Sequence, residues 1–182
     1  QTFHTDPGYG LCFAKLRLKG TNYVEWNAAG TSANRGIYLD IFPFDNVPDD
    51  PALQKKHNRK TYLLKRLLLA KLGYQVWEAN QPLKRLVYAA LSLYAKCRSK
   101  DKWVQKLEQE MQRYNGQNTR QIVAIGGSYG YWKESIQREW VDKTCHLAFE
   151  DTEFAVPANY TAYLEYFYGD YMTPPPADKR GD

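Results

Sequence analysis

The chain has 182 residues, 43% of them apolar, and a formal charge of +5. That is enough to bury one ordinary core and predicts a single domain over 1–182. Its longest uncharged apolar stretch, Leu86 to Ala95, is far below the roughly 20 residues of a membrane-spanning helix, and the first residues carry no signal-peptide pattern. Cys12, Cys97 and Cys145 are odd in number and lie far apart, outside any metal-ligand spacing, as expected of reduced thiols in an intracellular protein. Asn159-Tyr160-Thr161 is a glycosylation sequon, which matters only in a secreted chain.

In chain order, Asp6-Pro7-Gly8 is a turn signal. A first strand is predicted over Leu11–Leu18, and Asn22–Trp26 after Gly20 reads as its hairpin partner. Residues 28–35 are small and polar, a loop, and lead to a strand through Gly36–Asp45. Pro43 and Pro48 end the strands of region 1–50. Asp49 or Asp50 can cap a helix that has Pro51 in its first turn.

Region 51–116 reads as a basic helical segment. Leu64, Leu68 and Leu72 form one stripe of a helix over 52–72, with Leu63 and Leu67 beside it. Further helices are predicted over Pro82–Cys97 and from Lys100 to Tyr114, the last closed by Asn115-Gly116. From Pro51 to Lys100 there are twelve Lys or Arg against Glu78, whereas Leu147 to Asp182 has seven acids against Lys179 and Arg180. The basic stretch suits an anionic membrane surface or a charged glycan, or is a solvated face offset by the acidic tail. It lacks the interleaved aromatics of a nucleic-acid site, so no nucleic-acid partner is expected.

In region 117–182, Gln121–Ile125 is a short buried strand and Tyr131–Val141 is predicted helical. His146–Phe149 and Glu153–Val156 form a hairpin, followed by a C-terminal helix, Tyr160–Tyr168, that stops at Gly169. The order of elements predicts an α+β fold with a mostly antiparallel sheet and a helical middle.

Asp40 stands out chemically. A carboxylate in the apolar run Gly36-Ile37-Tyr38-Leu39-Asp40-Ile41-Phe42 needs a cation, because desolvating it unpaired costs several kcal/mol. The other role open to it is a strand-end aspartate bonded to a loop amide. Lys15 and Arg17 alternate with Ala14 and Leu16 and therefore share one strand face, either as surface ion pairs or as phosphate contacts. Tyr168-Gly169-Asp170-Tyr171 closes the last helix, as a simple cap or as part of a site. Gly126-Gly127-Ser128-Tyr129-Gly130 is a literal G-x-S-x-G with Asp142 and His146 following, which would make Ser128 a hydrolase nucleophile. The preceding helices and the missing oxyanion loop argue for an ordinary glycine-rich loop instead.

Phe13-Ala14-Lys15-Leu16-Arg17, Glu25, Gly36 through Asp45, Phe149-Glu150, Val156-Pro157 and Tyr168-Gly169-Asp170-Tyr171-Met172 occur in the order and spacing of one family. Together they resemble the LicD phosphocholine transferases. The resemblance implies a partial nucleotidyltransferase-like fold and transfer of phosphocholine, or a related phospho-substituent, from CDP-choline to a cell-surface glycan such as lipopolysaccharide or teichoic acid. It further implies a divalent metal, Mg2+ by preference, and a cytoplasmic location at the inner face of the membrane. By that match Asp40 is the catalytic, metal-binding carboxylate, and Lys15 and Arg17 meet phosphate. Glu25, Trp26, Tyr168, Asp170 and Tyr171 are assigned to the acceptor or choline side, since choline favours aromatic faces. The family's opening Asp-x-Asp has no counterpart here. The chain is therefore expected to be the C-terminal two thirds of that domain and inactive alone, with a non-catalytic glycan- or membrane-docking module as the alternative.

Overall fold

The computed structural model describes residues 1–75, 82–176 and 180. Residues 76–81 of the basic segment, Glu78 included, and Asp178, Lys179 and Asp182 of the acidic tail lie outside the described residues. Among the described residues, seven strands form three small antiparallel sheets, accompanied by five α-helices. The mixed α and antiparallel β content is that of an α+β protein.

The first sheet pairs β1 (Ala14–Arg17) with β2 (Tyr38–Ile41), Lys15 lying opposite Asp40 and Arg17 opposite Tyr38. This corrects the expected hairpin. Residues 22–25 are not a strand and lead into a 3-10 turn at Trp26–Ala28. The cause is ionic: Glu25 turns back to meet Lys15 and Arg17, which a hairpin strand could not do in this register. The faces are also inverted relative to the sequence pattern. Leu16 and Leu39 are each 64% exposed, while Lys15 is buried.

The second sheet, in the order β3-β4-β5, joins β3 (Asp45–Val47), β4 (Gln121–Val123) and β5 (Ser135–Gln137). The predicted helix over 131–141 is therefore interrupted by a strand. Only α4 (Tyr131–Glu134) is helical, then Ile136 pairs with Ile122 and is buried, and a 3-10 turn follows at Arg138–Trp140. Without β5, the open edge of β4 would keep its backbone groups unpaired. Asn46 ties this sheet to the chain after α3, donating from Nδ2 to the Gln117 carbonyl and from its backbone N–H to the Asn115 side-chain oxygen.

The helices follow the sequence closely. In α1 (Pro51–Leu72) the Asp50 carboxylate accepts from the Ala52 and Leu53 N–H groups, and Gly73 ends the helix in the left-handed region at φ 80°. Leu67 and Leu68 are buried, but Leu63 is exposed, so the apolar stripe is narrower than the leucine run suggests. α2 (Pro82–Ala95) and α3 (Lys100–Met111) pack against α1. Ser99 caps α3. The core gathers Leu67 and Leu68 with Trp103, Val104, Leu107 and Met111, and sets them against Val47 and Val123. The last elements are the exposed hairpin β6 (Thr144–Phe149) and β7 (Thr152–Pro157), then α5 (Tyr160–Tyr168), which ends at Gly169 with φ 68°.

His57, on the inner face of α1, is fully buried between the Tyr131 hydroxyl and the Glu110 carbonyl, each 2.8 Å from a ring nitrogen. Burial holds its pKa below the ordinary 6.5, despite the opposing pull of Glu110 and Asp45. His57→Ala is expected to lose about 3 kcal/mol in denaturant titrations, from the cavity and two orphaned polar groups. Because the folded pKa is lowered, the stabilisation by His57 is complete above pH 6.5 and declines as pH falls below it.

Candidate functional site

The inward face of β1 and β2 carries a cation cluster that explains the Asp40 anomaly. Lys15 is pointed into the protein with its side chain 1% exposed. Its ammonium donates to Glu25 Oε1 at 2.9 Å, lies 3.2 Å from Asp40 Oδ1 and sits 3.1 Å from the centre of the Tyr38 ring. The cation that Asp40 requires is thus supplied across the strand pair. The Tyr38 hydroxyl donates to Glu25 Oε1 at 3.0 Å, and Arg17 reaches Glu25 Oε2 at 3.3 Å. Arg17 is further fixed by the Gly36 carbonyl at 2.7 Å and by the Gln1 side chain.

Electrostatics follow from that geometry. Burial raises the Glu25 pKa, but the Lys15 ammonium, the Tyr38 hydroxyl and Arg17 outweigh it and hold Glu25 below the ordinary carboxylate range. Tyr38 is pushed up to about 12 by burial and by its bond to the Glu25 carboxylate. Asp40 differs from Glu25. Its Oδ1 is buried and, although near Lys15, makes no aligned hydrogen bond, while the side chain as a whole is 31% exposed. One edge of the carboxylate therefore faces the ammonium, and the rest is open to solvent.

That arrangement fits a metal only in one way. Among the described residues no group of three or more His, Cys, Asp or Glu side chains gathers to hold an ion. Mg2+, however, is commonly bound by one or two carboxylates together with substrate phosphates and water. The open edge of Asp40 can serve as one such ligand.

The other expected residues are dispersed. Lys15 is enclosed by two carboxylates, so direct contact with a phosphate would require Nζ to leave both; its geometry is that of a residue that positions Asp40. Glu25 takes part in this ionic cluster through Lys15 and Arg17. Trp26 stands in the 3-10 turn, 62% exposed. Asp170 is exposed and accepts from the Thr173 hydroxyl at 2.6 Å, beside a half-buried Tyr171. Tyr168 lines a cavity shared with Phe42 and Ser128.

Sequence reasoning missed Tyr38, although its alternation with Asp40 places both on one strand face. In the G-x-S-x-G loop Gly126 and Gly127 face close neighbours, whereas Gly130 takes a left-handed backbone at φ 81°. A Cβ on Gly126 would fall 2.7 Å from the Phe13 ring, and one on Gly127 would fall 2.1 Å from the Glu134 carboxyl. Ser128 is exposed, and among the described residues no hydrogen bond links it to Asp142 or His146.

Lys15→Met leaves Glu25 and Asp40 facing each other without their shared cation, and is expected to cost about 3 kcal/mol at pH 7. Since the pKa of Glu25 is lowered in the folded state, this difference should be full above its ordinary 4.5 and shrink as pH falls through the folded value. Denaturant titrations of both proteins from pH 7 to pH 3 measure it.

Comparison with known proteins gives one informative match. The chain is 28% identical over 153 residues to the lipopolysaccharide cholinephosphotransferase LicD of Haemophilus influenzae, covering 78% of this chain and 52% of that protein. The chain thus spans about half the length of this curated relative. No family profile matches the chain, and no solved structure does either. The nucleotidyltransferase-like fold accordingly has no structural neighbour to support it. What the match supports is kinship in sequence: over most of its length this chain resembles the LicD family.

Proposed function

We propose that this chain is part of a LicD-like transferase that moves phosphocholine from CDP-choline to a glycan, with Asp40 at the reacting end. The observation that carries the proposal is the state of Asp40, pinned on one side by Lys15 and open on the other. Similarity to a lipopolysaccharide cholinephosphotransferase supports phosphocholine as the transferred group and a glycan as the acceptor.

In this reading a sugar hydroxyl attacks the phosphorus of the phosphocholine group. A new P–O bond to the sugar forms, the P–O bond to cytidine monophosphate breaks, and the hydroxyl proton passes to solvent. Mg2+, when bound, neutralises charge on the diphosphate oxygens. Asp40 would hold it at the open edge of its carboxylate. Lys15 holds one edge of the Asp40 carboxylate across the strand pair, and Glu25 keeps Lys15 in place. Arg17 is the second cation of the cluster, committed to Glu25 and to the Gly36 carbonyl, and adds positive potential for the incoming diphosphate. The reaction side is cytoplasmic, at the inner face of the membrane.

Binding is the cleanest test, since the chain spans about half of its relative. Calorimetry should show Mg2+-dependent binding of CDP-choline that Asp40→Asn reduces at least tenfold while the circular dichroism spectrum is retained. Equal binding by the variant would remove Asp40 from the site.

One further observation favours a membrane-docking role alongside chemistry. Lys55, Lys56, Arg59 and Lys60 line an open groove of about 550 Å3 on α1. No described helix is long and apolar enough to cross a membrane, so attachment would be to the surface. Each cation near an anionic lipid surface contributes about 1 kcal/mol. Vesicles containing phosphatidylglycerol should bind the chain at low salt, and Lys55→Glu with Lys56→Glu and Arg59→Glu should abolish sedimentation with them. Undiminished sedimentation would reduce the groove to a solvated face.

A further inference from the structure

Tyr38 stands on β2 two residues before Asp40, on the same strand face, and is half-buried. It meets the ionic cluster with two different parts of its side chain. The ring lies against Lys15, whose ammonium is 3.1 Å from the ring centre, and the hydroxyl donates to Glu25 Oε1 at 3.0 Å. The register sets this up: Tyr38 is opposite Arg17, diagonal to the Lys15 and Asp40 pair. The Arg17 guanidinium carbon is 5.0 Å from the centre of the same ring, and Tyr23 meets it edge to face with ring centres 5.9 Å apart. The ring is thus held by its hydroxyl, by Arg17 and by Tyr23.

An ammonium has three N–H donors and no acceptor. One donor of Lys15 goes to Glu25 Oε1 at 2.9 Å. Asp40 Oδ1 is 3.2 Å away, yet it is buried and receives no aligned hydrogen bond. The ring of Tyr38 accounts for that omission. A π-face attracts a cation and accepts its N–H groups, and this one lies as near to the nitrogen as Asp40 does. The ammonium is held over the ring, where its charge reaches Asp40 but its protons do not line up with Oδ1. A charge-assisted hydrogen bond to Oδ1 would be the stronger contact and would draw negative charge out of the carboxylate. Without it, the oxygen at the open edge of Asp40 keeps its capacity to bind a cation.

We propose that Tyr38 is a positioning residue for Asp40 and acts through Lys15. Its ring keeps the ammonium beside the carboxylate as a counter-charge and stops it from closing a hydrogen bond there. The bond from the hydroxyl to Glu25 is secondary. Phenylalanine at this position would keep the ring face and lose only that bond, whereas leucine would remove the face. The use of Asp40 as a ligand rests on the transferase reading; the sharing of Lys15 between Glu25 and the ring does not.

Scalar coupling across hydrogen bonds, read by NMR between the Lys15 side-chain nitrogen and carboxyl carbons, tests the geometry without metal or donor. In the unaltered chain it should connect Lys15 to Glu25 and not to Asp40. In Tyr38→Leu a coupling to Asp40 should appear, and in Tyr38→Phe it should stay absent. Calorimetry reads the consequence. Mg2+-dependent binding of CDP-choline should weaken about tenfold in Tyr38→Leu and by less than about twofold in Tyr38→Phe. A Lys15 to Asp40 coupling in the unaltered chain overturns the proposal, and that measurement holds even where Tyr38→Leu fails to fold. Unchanged binding by Tyr38→Leu also overturns it, as does equal loss in both variants, which would assign the effect to the hydroxyl and its support of Glu25. The two readings fail separately. CDP-choline binding lost in Asp40→Asn but untouched by Tyr38→Leu sustains the transferase and removes Tyr38. Absence of CDP-choline binding, with the coupling moving to Asp40 in Tyr38→Leu, sustains the role of Tyr38 and sinks the transferase.

Discussion

The ammonium of Lys15, shared by Glu25 and Asp40 above the ring of Tyr38, is the interaction on which the first quarter of the chain depends. It joins β1 to β2 by side chains as well as by backbone, and bends residues 22–25 back beneath the pair so that Glu25 can reach it. Arg17 then ties the same carboxylate to the Gly36 carbonyl and the Gln1 side chain. A buried ion pair has a large desolvation cost, and it holds only when every lone pair and proton is used. Here the accounting is complete for Glu25 and incomplete for Asp40, whose Oδ1 has a cation nearby but no aligned donor. Incomplete satisfaction at one member of an otherwise closed network is where chemistry is most readily hosted.

The glycine loop of residues 126–130 connects this cluster to the cavity that Tyr168 lines. Gly126 packs against Phe13 and the Cys12 carbonyl, and Gly127 against Glu134. Phe13 in turn stacks on Phe42, with ring centres 4.5 Å apart, and faces the Lys15 ammonium at 5.3 Å. Both glycines are thus required by close approach from opposite sides, a structural reason for a motif that otherwise imitates a nucleophile elbow.

The helical half of the fold was legible because its signals are local. Asp50 and Pro51 start α1, Gly73 stops it, and the leucine spacing finds Leu67 and Leu68. The sheets were less legible because strand pairing is non-local. Residues 22–26 alternate like a strand, yet their partner was taken by Tyr38–Ile41, and Ser135–Gln137 left a helical pattern to complete the edge of β4. Of the site, Asp40 was legible from charge in an apolar run, but the inference that it lies in an apolar interior was wrong: the strand turns its apolar side outward. The part played by Tyr38 was not legible, since strand alternation fixes its face but carries no sign of which cation will lie against its ring.

The outward greasy side of β1 and β2 has a consequence for fidelity of assembly. Sliding β2 past β1 by a single residue would turn Leu39 inward and cast Asp40 into water, an exchange that oil-like forces alone would reward. The chain resists that reward through charge recognition. Correct alignment is therefore proofread by an ionic lock, and alphabets that record only hydrophobic and polar letters would thread this ribbon inside out.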